Sequence, residues 1–144
     1  MFEVTAQTTF NALHAIVIDG QREPLHGHDW LVRATIAGPT LDGDGLLCDF
    51  HAVEAALERI AEPWRHRSLN DCEPFRTRGL EPTAEHVAFV VAQGLASLLR
   101  DTLPRGARVA RVRVTEAPHC VATYAPPTTT TPTEPTPTEP ARTP

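Results

Sequence analysis

Apolar and polar side chains alternate near the start of the chain and again between residues 28 and 37. A period of two is typical of a half-buried strand, so we predict one strand over residues 2–14 and a second over 28–37. Between them, Asp19-Gly20 and Pro24 indicate a break and a loop. The residues that share one face are Phe2, Val4, Ala6, Thr8, Phe10, Ala12 and His14 in the first strand, and Trp30, Val32, Ala34 and Ile36 in the second.

Two stretches in the middle of the chain repeat apolar residues every three or four positions, as amphipathic helices do. We predict a first helix from an N-cap at Asp49 to about Glu62, where a proline follows. A second helix is predicted from an N-cap at Thr83 to about Arg100. Residues 64–82, which join the two helices, form a long irregular connection in this interpretation, and such loops are often functional.

Two further strands, over 108–116 and about 120–125, complete the order ββααββ. Strand pairs at both ends with helices between them indicate an α+β domain over residues 1–125: a four-stranded antiparallel sheet with two helices on one face. Residues 126–144 contain seven of the 14 prolines, many threonines and no large apolar side chain. Such a segment cannot bury enough surface to offset the entropy of ordering it, so we expect a disordered Pro/Thr-rich tail.

Composition excludes several classes of protein. The net charge of −5 argues against a nucleic-acid partner, which requires a basic face. No apolar run reaches the roughly 18 residues of a membrane span, and the first residues lack the profile of a signal peptide. Cys48, Cys72 and Cys120 are odd in number and form no CxxC pair, which favours neither a disulfide framework nor a cysteine zinc site. We therefore expect a cytoplasmic protein without a nucleic-acid or membrane partner.

Three histidines form the first candidate site. His26 and His28 are two residues apart, so they point to one side of the sheet if the second strand begins there. Gly27 between them has no side chain and lets another group approach closely, and His14 ends the strand expected to pair alongside. Three neutral imidazoles with an open fourth position are the arrangement of a catalytic zinc site. Histidines at this spacing are also common as ordinary strand or loop residues, and the spacing alone leaves both interpretations open.

A carboxylate in the third predicted strand is the second candidate. Glu116 continues the parity of Ala110, Val112 and Val114, and a carboxylate on a buried face is costly unless it is paired or binds a ligand. At a strand end it would be able to accept two hydrogen bonds from an amidine-like edge such as that of a pterin or guanine. The alternative is that Glu116 reaches water at the end of its strand.

The candidate residues stand in a series of short motifs that ends with an aromatic residue at Tyr124. In chain order the motifs are FNALH, LHGHDW, CDF, HRSLN, EPTAEH and VTEAP. The combination resembles the 6-pyruvoyl-tetrahydropterin synthase / 6-carboxytetrahydropterin synthase family over residues 2–125. The resemblance implies the T-fold, in which ββααββ units assemble through their sheets into barrels, usually as hexamers made of two trimers. It also implies active sites between subunits and 7,8-dihydroneopterin triphosphate as the usual substrate.

The resemblance assigns roles to individual residues. Glu116 matches the carboxylate that anchors the pterin, Thr83 matches a position that helps to hold the ring, and Glu85 matches the acidic residue of the same motif. His66 matches the histidine of the family's Asp-His pair. The residues that match the zinc ligands are His14, His26 and His28.

The chain also departs from the family pattern. The segment before LHGH contains no cysteine, where the family normally has a catalytic one, and Arg65 stands where the family has the aspartate of its Asp-His pair. Glu23 lies three residues before His26 and reproduces the E-x-L-H-G-H arrangement of a subgroup that forms 6-hydroxymethyl-7,8-dihydropterin, a folate precursor. Glu23 as the base and His66 as the proton donor is one hypothesis, and Glu23 as a solvated loop residue is the other.

The function expected from the resemblance is that of a zinc-dependent lyase that removes or rearranges the side chain of a dihydropterin, similar to 6-carboxytetrahydropterin synthase. The first alternative is Glu-dependent side-chain cleavage for folate, and the second is a family member that binds zinc and a pterin or purine without catalysis. A structural T-fold subunit is also open. The product would be used in queuosine biosynthesis, in folate biosynthesis or in the synthesis of a specialised metabolite.

Overall fold

The structure is a computed structural model, and it describes residues 1–128. Within this range, six strands form two sheets, and three helices lie among them. The strands are β1 (Phe2–His14), β2 (Val17–Ile18), β3 (Gln21–Arg22), β4 (His26–Gly38), β5 (Arg108–Ala117) and β6 (Cys120–Tyr124). The helices are α1 (Phe50–Ala61), α2 (Phe75–Arg78) and α3 (Ala84–Leu98), with single 3₁₀ turns at Glu62–Trp64 and Leu69–Asp71. The tail predicted over 126–144 lies, from residue 129 onward, outside the described residues.

The main sheet has the strand order β1-β4-β5-β6, and all neighbouring strands are antiparallel. The α+β class and the four-stranded antiparallel sheet are therefore confirmed, and β4 begins two residues earlier than predicted. The segment between β1 and β4, predicted as a break and a loop, contains the small hairpin β2-β3. Asp19 and Gly20 form its turn with φ of 50° and 78°, the left-handed region that two-residue hairpin turns require.

Both long helices begin at the predicted caps. The Asp49 carboxylate accepts a hydrogen bond from the His51 N–H, and the Thr83 hydroxyl accepts one from the His86 N–H. Each cap satisfies an amide that has no partner inside its helix. The helix α3 ends at Leu98, two residues before the predicted end.

The core lies on one face of the main sheet, beneath α1 and α3. The even-numbered residues of β1 are buried from Ala6 to His14, whereas Phe2 is exposed at the start of the strand. The opposite face is polar and carries no helix within residues 1–128, so the sheet presents one open face. The assembly of several such sheets into a barrel would involve further copies of the chain and stays a prediction.

The connection between α1 and α3 is more ordered than predicted. It contains both 3₁₀ turns and α2, and Trp64, Leu69 and Phe75 are fully buried in the core. These three side chains tie the connection to the end of the sheet where the histidines lie. Within residues 1–128, no helix combines the length and apolar character needed to cross a bilayer.

Candidate metal and pterin site

The three histidines meet at one end of the main sheet, where β1 ends and β4 begins. His14 is directly opposite His26 in the strand register, and His28 follows two residues later on the same face. The ring centroids are 4.7 to 5.1 Å apart. Gly27 lies on the other face, where a Cβ would approach the Leu13 side chain to 3.0 Å. The antiparallel register thus brings together three imidazoles that are up to fourteen residues apart in sequence.

Glu116 joins the histidines from the neighbouring strand β5. It lies one residue past Thr115, the partner of Leu31, on the inner face of the sheet. Its Oε1 atom is 2.8 Å from His14 Nε2 and 3.5 Å from His28 Nε2. The ligand atoms of all four side chains lie within 4.8 Å of one another. Glu116 is 25 % exposed, so it lies at the border between the core and solvent rather than in free water.

His14 is completely buried, and its hydrogen bonding fixes which ring nitrogen faces the site. Its Nδ1 atom is 2.8 Å from the Pro82 carbonyl oxygen, which can only accept, so Nδ1 carries the proton and donates. In the neutral ring Nε2 then has a free lone pair, and it makes no hydrogen bond with any residue from 1 to 128. Two acceptors, Nε2 and the Glu116 carboxylate, face each other at 2.8 Å, an arrangement that a proton or a metal cation between them would stabilise.

The other two histidines are oriented in a compatible way. The His26 Nδ1–H donates to the Pro24 carbonyl at 2.8 Å, which leaves Nε2 free toward the cluster. Burial lowers the pKa of His28, with the neighbouring histidines acting in the same direction and the Glu116 charge opposing them. A lowered pKa favours the neutral imidazole, the form that binds metal. The donor set of three imidazoles and one carboxylate, with the unpaired Nε2 of His14, fits a metal ion such as zinc.

Glu23 lies beside this cluster. Its Oε1 atom is 3.7 Å from His26 Nε2 and accepts a hydrogen bond of 3.2 Å from the Ile16 N–H. The Glu23 N–H donates in turn to the Ile16 carbonyl at 3.0 Å. These two bonds fix the glutamate to the segment that follows His14, while its side chain also borders a shallow cleft beside the hairpin β2-β3, about 550 Å³ in volume.

The remaining predicted site residues are less closely joined to the cluster. Thr83 caps α3 directly after Pro82, so it is next to the carbonyl that holds His14. Glu85 is exposed in the first turn of α3. His66 is exposed, with φ of 58°, and its N–H donates to the Asn11 carbonyl. In the described part of the chain, no hydrogen bond or ion pair joins its ring to the other histidines.

Arg65, which replaces the family's aspartate, is directed away from His66 into an ion-pair network. Its guanidinium pairs with Glu58 and with Glu62, and it donates to the Thr9 carbonyl at 2.7 Å. The carboxylates of Glu58 and Glu62 raise the pKa of Arg65. The arginine therefore anchors the connection to α1 and β1 instead of acting on the imidazole of His66.

Sequence reasoning missed two side chains that shape the site. The Asn70 amide accepts from the Ala15 N–H at 2.9 Å and donates to the Ala15 carbonyl at 2.7 Å, so it holds the residue after His14 as a neighbouring strand would. Arg22 donates to the same carbonyl at 3.0 Å and pairs with Glu81 at 2.9 Å. Asn70 stands in the quoted motif HRSLN, which was the available signal, whereas Arg22 had none.

Comparison with known proteins identifies the family of this chain. It is 31 % identical over 129 residues to the 6-carboxy-5,6,7,8-tetrahydropterin synthase of Bacillus subtilis, covering 87 % of this chain and 86 % of the relative. The fold resembles the 6-pyruvoyl tetrahydropterin synthase of Caenorhabditis elegans, with a TM-score of 0.70 and 20 % identity over 86 % of this chain and 94 % of the other. It also resembles the Plasmodium vivax enzyme of that name, with a TM-score of 0.67 and 22 % identity over 85 % and 96 %.

At these identities the two structural likenesses show the fold alone, and they match the T-fold expected from the sequence. A sequence model describes the family itself, and it matches residues 3–127, nearly all of the described chain. The chain belongs to the 6-pyruvoyl tetrahydropterin synthase family.

Proposed function

We propose that this protein is a zinc-dependent lyase that removes or rearranges the side chain of 7,8-dihydroneopterin triphosphate or a related dihydropterin. The observation behind the proposal is the convergence of three histidines with two carboxylates at one end of the sheet. Family membership supports lyase chemistry on a pterin, and the Bacillus subtilis relative is a 6-carboxytetrahydropterin synthase. The segment before His26 contains no cysteine, which supports a carboxylate rather than a thiolate as the base.

The metal ligands in this proposal are His14, His26 and His28. When bound, zinc supplies Lewis acidity, which favours ionisation of hydroxyl groups next to it. Glu116 has two possible roles at its position: it completes the ligand set, or it accepts hydrogen bonds from the amino-pyrimidine edge of the pterin. Thr83 and Glu85, at the start of α3, are the further pterin-binding residues that the family resemblance suggests.

Glu23 is the proposed base. A carboxylate at this position would remove the proton of the side-chain 2′-hydroxyl, the C2′–O bond would become a carbonyl, and the C1′–C2′ bond would break. The electron pair left at C1′ is delocalised into the pterin ring, and His66 is the proposed donor of the proton that C1′ then takes up. The products are 6-hydroxymethyl-7,8-dihydropterin and a phosphorylated aldehyde. The Plasmodium vivax neighbour has been crystallised as variants in which a catalytic glutamate was replaced, which supports a glutamate in this role.

Two products remain as candidates, and different observations favour each. The relative from Bacillus subtilis favours 6-carboxytetrahydropterin. The contact between Glu23 and the cluster favours side-chain cleavage to the hydroxymethyl product. We also propose that the active protein is a cytoplasmic homo-oligomer, a hexamer of two trimers, because His66 and Glu85 are exposed in one chain and would reach a pterin across a subunit boundary.

Incubation with 7,8-dihydroneopterin triphosphate, followed by mass analysis of the product, tests the proposal. We expect one of the two products from the wild type and at least a hundredfold lower rate from Glu23→Gln, which retains the acceptor for the Ile16 amide. Glu54→Gln, an exposed substitution on α1, is the matched control and should leave the rate unchanged. Equal rates for wild type and Glu23→Gln would contradict the role of Glu23.

Metal analysis tests the zinc site and separates a zinc protein from a purely structural T-fold subunit. The purified wild type should contain about one zinc per chain, and the double variant His26→Ala/His28→Ala should contain almost none. Zinc in the wild type with pterin binding but no turnover would favour the non-catalytic alternative. Unchanged zinc in the double variant would exclude this metal site.

A further inference from the structure

A row of polar side chains crosses the open face of the main sheet, away from the histidine cluster. Gln7 is the register partner of Arg33, Arg33 is the partner of Arg113, and Arg113 is the partner of Thr123. These residues lie side by side on all four strands. Two arginines thus occupy directly opposite positions on neighbouring strands, although the protein as a whole has a net charge of −5.

Like charges in this position are unfavourable. Directly opposite residues of antiparallel strands have Cβ atoms roughly 5 Å apart, and equal charges at that separation destabilise the sheet. Arg33 donates through Nε to Gln7 Oε1 at 3.0 Å, and its two terminal nitrogens make no hydrogen bond to the residues that the structure describes. Within residues 1–128, Arg113 is exposed and has no hydrogen bond or ion pair through its side chain. The pair therefore offers two guanidinium groups with unused donors and unbalanced charge.

Acidic residues lie on both sides of the Arg33–Arg113 pair along the strands. On one side, Glu3 binds Arg111 through both of its oxygens, at 3.0 and 2.7 Å. On the other side, Asp29 accepts a hydrogen bond from Asn11 at 3.1 Å. An extended polyanion such as a nucleic-acid strand would meet both carboxylates, whereas a compact anion would contact only the two free arginines.

We propose that Arg33 and Arg113 form a binding site for a compact, multiply charged oxyanion of the phosphate type. Guanidinium groups bind such oxygens through paired hydrogen bonds, and a dianion between them would turn the repulsion into attraction. The site is separate from the proposed metal centre: Arg33 is five residues from His28, roughly 17 Å along an extended strand, and on the opposite face. The proposal does not depend on the enzymatic reaction.

Calorimetric titration of inorganic phosphate into the full-length protein, at fixed ionic strength adjusted with sodium chloride, tests this site. We expect saturable binding to the wild type and at least tenfold weaker binding to Arg33→Gln and Arg113→Gln. The control Arg59→Gln, on α1 at the other side of the sheet, should bind like the wild type. Thermal melting of each variant verifies that it is folded, since both arginines are exposed and their removal leaves the core intact.

Two further arms identify the source of any signal. The metal-site variant His26→Ala/His28→Ala should retain phosphate binding, and its loss there would assign the anion to the histidine cluster and overturn the proposal. A short DNA duplex should not displace phosphate at the same ionic strength. Displacement by DNA, absence of saturable binding, or equal affinity in Arg113→Gln would each overturn it as well.

Discussion

At the scale of single residues, the contacts of His14 set the orientation of its ring in the candidate metal site. Its ring is fully buried, and one nitrogen is hydrogen-bonded to the Pro82 carbonyl, while the other has no hydrogen bond in the described part of the chain. Leaving a buried polar atom unpaired costs about 1–3 kcal/mol, a cost that a bound cation would offset. Trp30 packs against the His14 ring in a T-shaped arrangement at a centroid distance of 4.9 Å, which limits the rotation of the imidazole. Protein packing therefore holds the histidine in the orientation that a ligand needs.

We predict that Asn70→Ala destabilises the protein by about 2 kcal/mol and weakens zinc binding. The substitution removes two hydrogen bonds to the backbone of Ala15, and each is worth about 1 kcal/mol. Urea unfolding of the metal-free protein measures the stability, and competition with a chelator measures the zinc affinity. Asn11→Ala is the control, since its single exposed bond to Asp29 should contribute less than 0.5 kcal/mol. Equal effects of the two substitutions would argue against a positioning role for Asn70.

At the scale of elements, α1 and α3 approach each other closely at a glycine. A Cβ at Gly94 would lie 2.8 Å from Cδ1 of Ile60 and 3.1 Å from its Cγ1. We predict that Gly94→Ala destabilises the protein by about 1 kcal/mol, because overpacking outweighs the higher helix propensity of alanine. In an Ile60→Val background, which lacks Cδ1, the same change should be neutral or stabilising. Thermal unfolding of all four proteins measures this coupling, and additive effects would exclude it.

The Thr8–Glu58–Arg65 network joins β1, α1 and the following connection, and it predicts a pH dependence. Hydrogen bonds from Thr8 and, to a smaller extent, Arg65 lower the pKa of Glu58 below its usual 4.5. The unfolded chain therefore binds more protons than the native one near that pH, so the contribution of Glu58 is present above about pH 4.5 and lost as the pH falls through the native pKa. The stability difference between wild type and Glu58→Gln should shrink from pH 7 to pH 3 in metal-free protein. The control Glu54→Gln, at an exposed position, should show no such trend. Parallel curves of stability against pH for wild type and Glu58→Gln would contradict a stabilising role of this network.

The elements that could be predicted are those whose information is local. The alternation in β1 and the caps at Asp49 and Thr83 lie within a few neighbouring residues, so composition and spacing were sufficient. The hairpin β2-β3 was missed because each strand has only two residues, too few for a period. The short helix α2 was missed for a similar reason.

The convergence of the site depends on register rather than on local pattern. Glu116 reaches His14 because β5 pairs with β4 in one specific alignment, and no spacing along the chain contains that alignment. The clamp of Asn70 on Ala15 likewise joins residues 55 positions apart. Strand spacing and parity pointed to the three histidines and Glu116, and the family resemblance added Glu23, His66, Thr83 and Glu85. Only the three-dimensional structure supplied their contacts.

At the scale of the whole molecule, the main sheet has two edges that are available for pairing. On β1, the Asn11 carbonyl and the Leu13 N–H bond to the connection at residues 66–67, so the odd-numbered residues direct their backbone groups outward. Nearer the start of the strand, the same alternation directs the backbone N–H and C=O groups of Glu3, Thr5 and Gln7 away from β4. The register places β6 at the level of residues 6–9 of β1, at the opposite edge. We expect these two edges to pair between copies of the chain, because a barrel requires such closure.

We predict that the wild type sediments as a homo-oligomer and that Thr5→Pro dissociates it to folded monomers. Proline removes the outward N–H of Thr5, while the even-numbered residues retain their bonds to β4. Thr5→Ala is the matched control, because it loses the hydroxyl contact with Thr35 at 2.9 Å but keeps the amide, and it should assemble like the wild type. Circular dichroism establishes that Thr5→Pro is folded, and zinc analysis should find the metal retained, since its proposed ligands come from one chain. If Thr5→Pro assembles normally, or if the wild type is a monomer at micromolar concentration, the β1 edge is not the contact that closes the sheet.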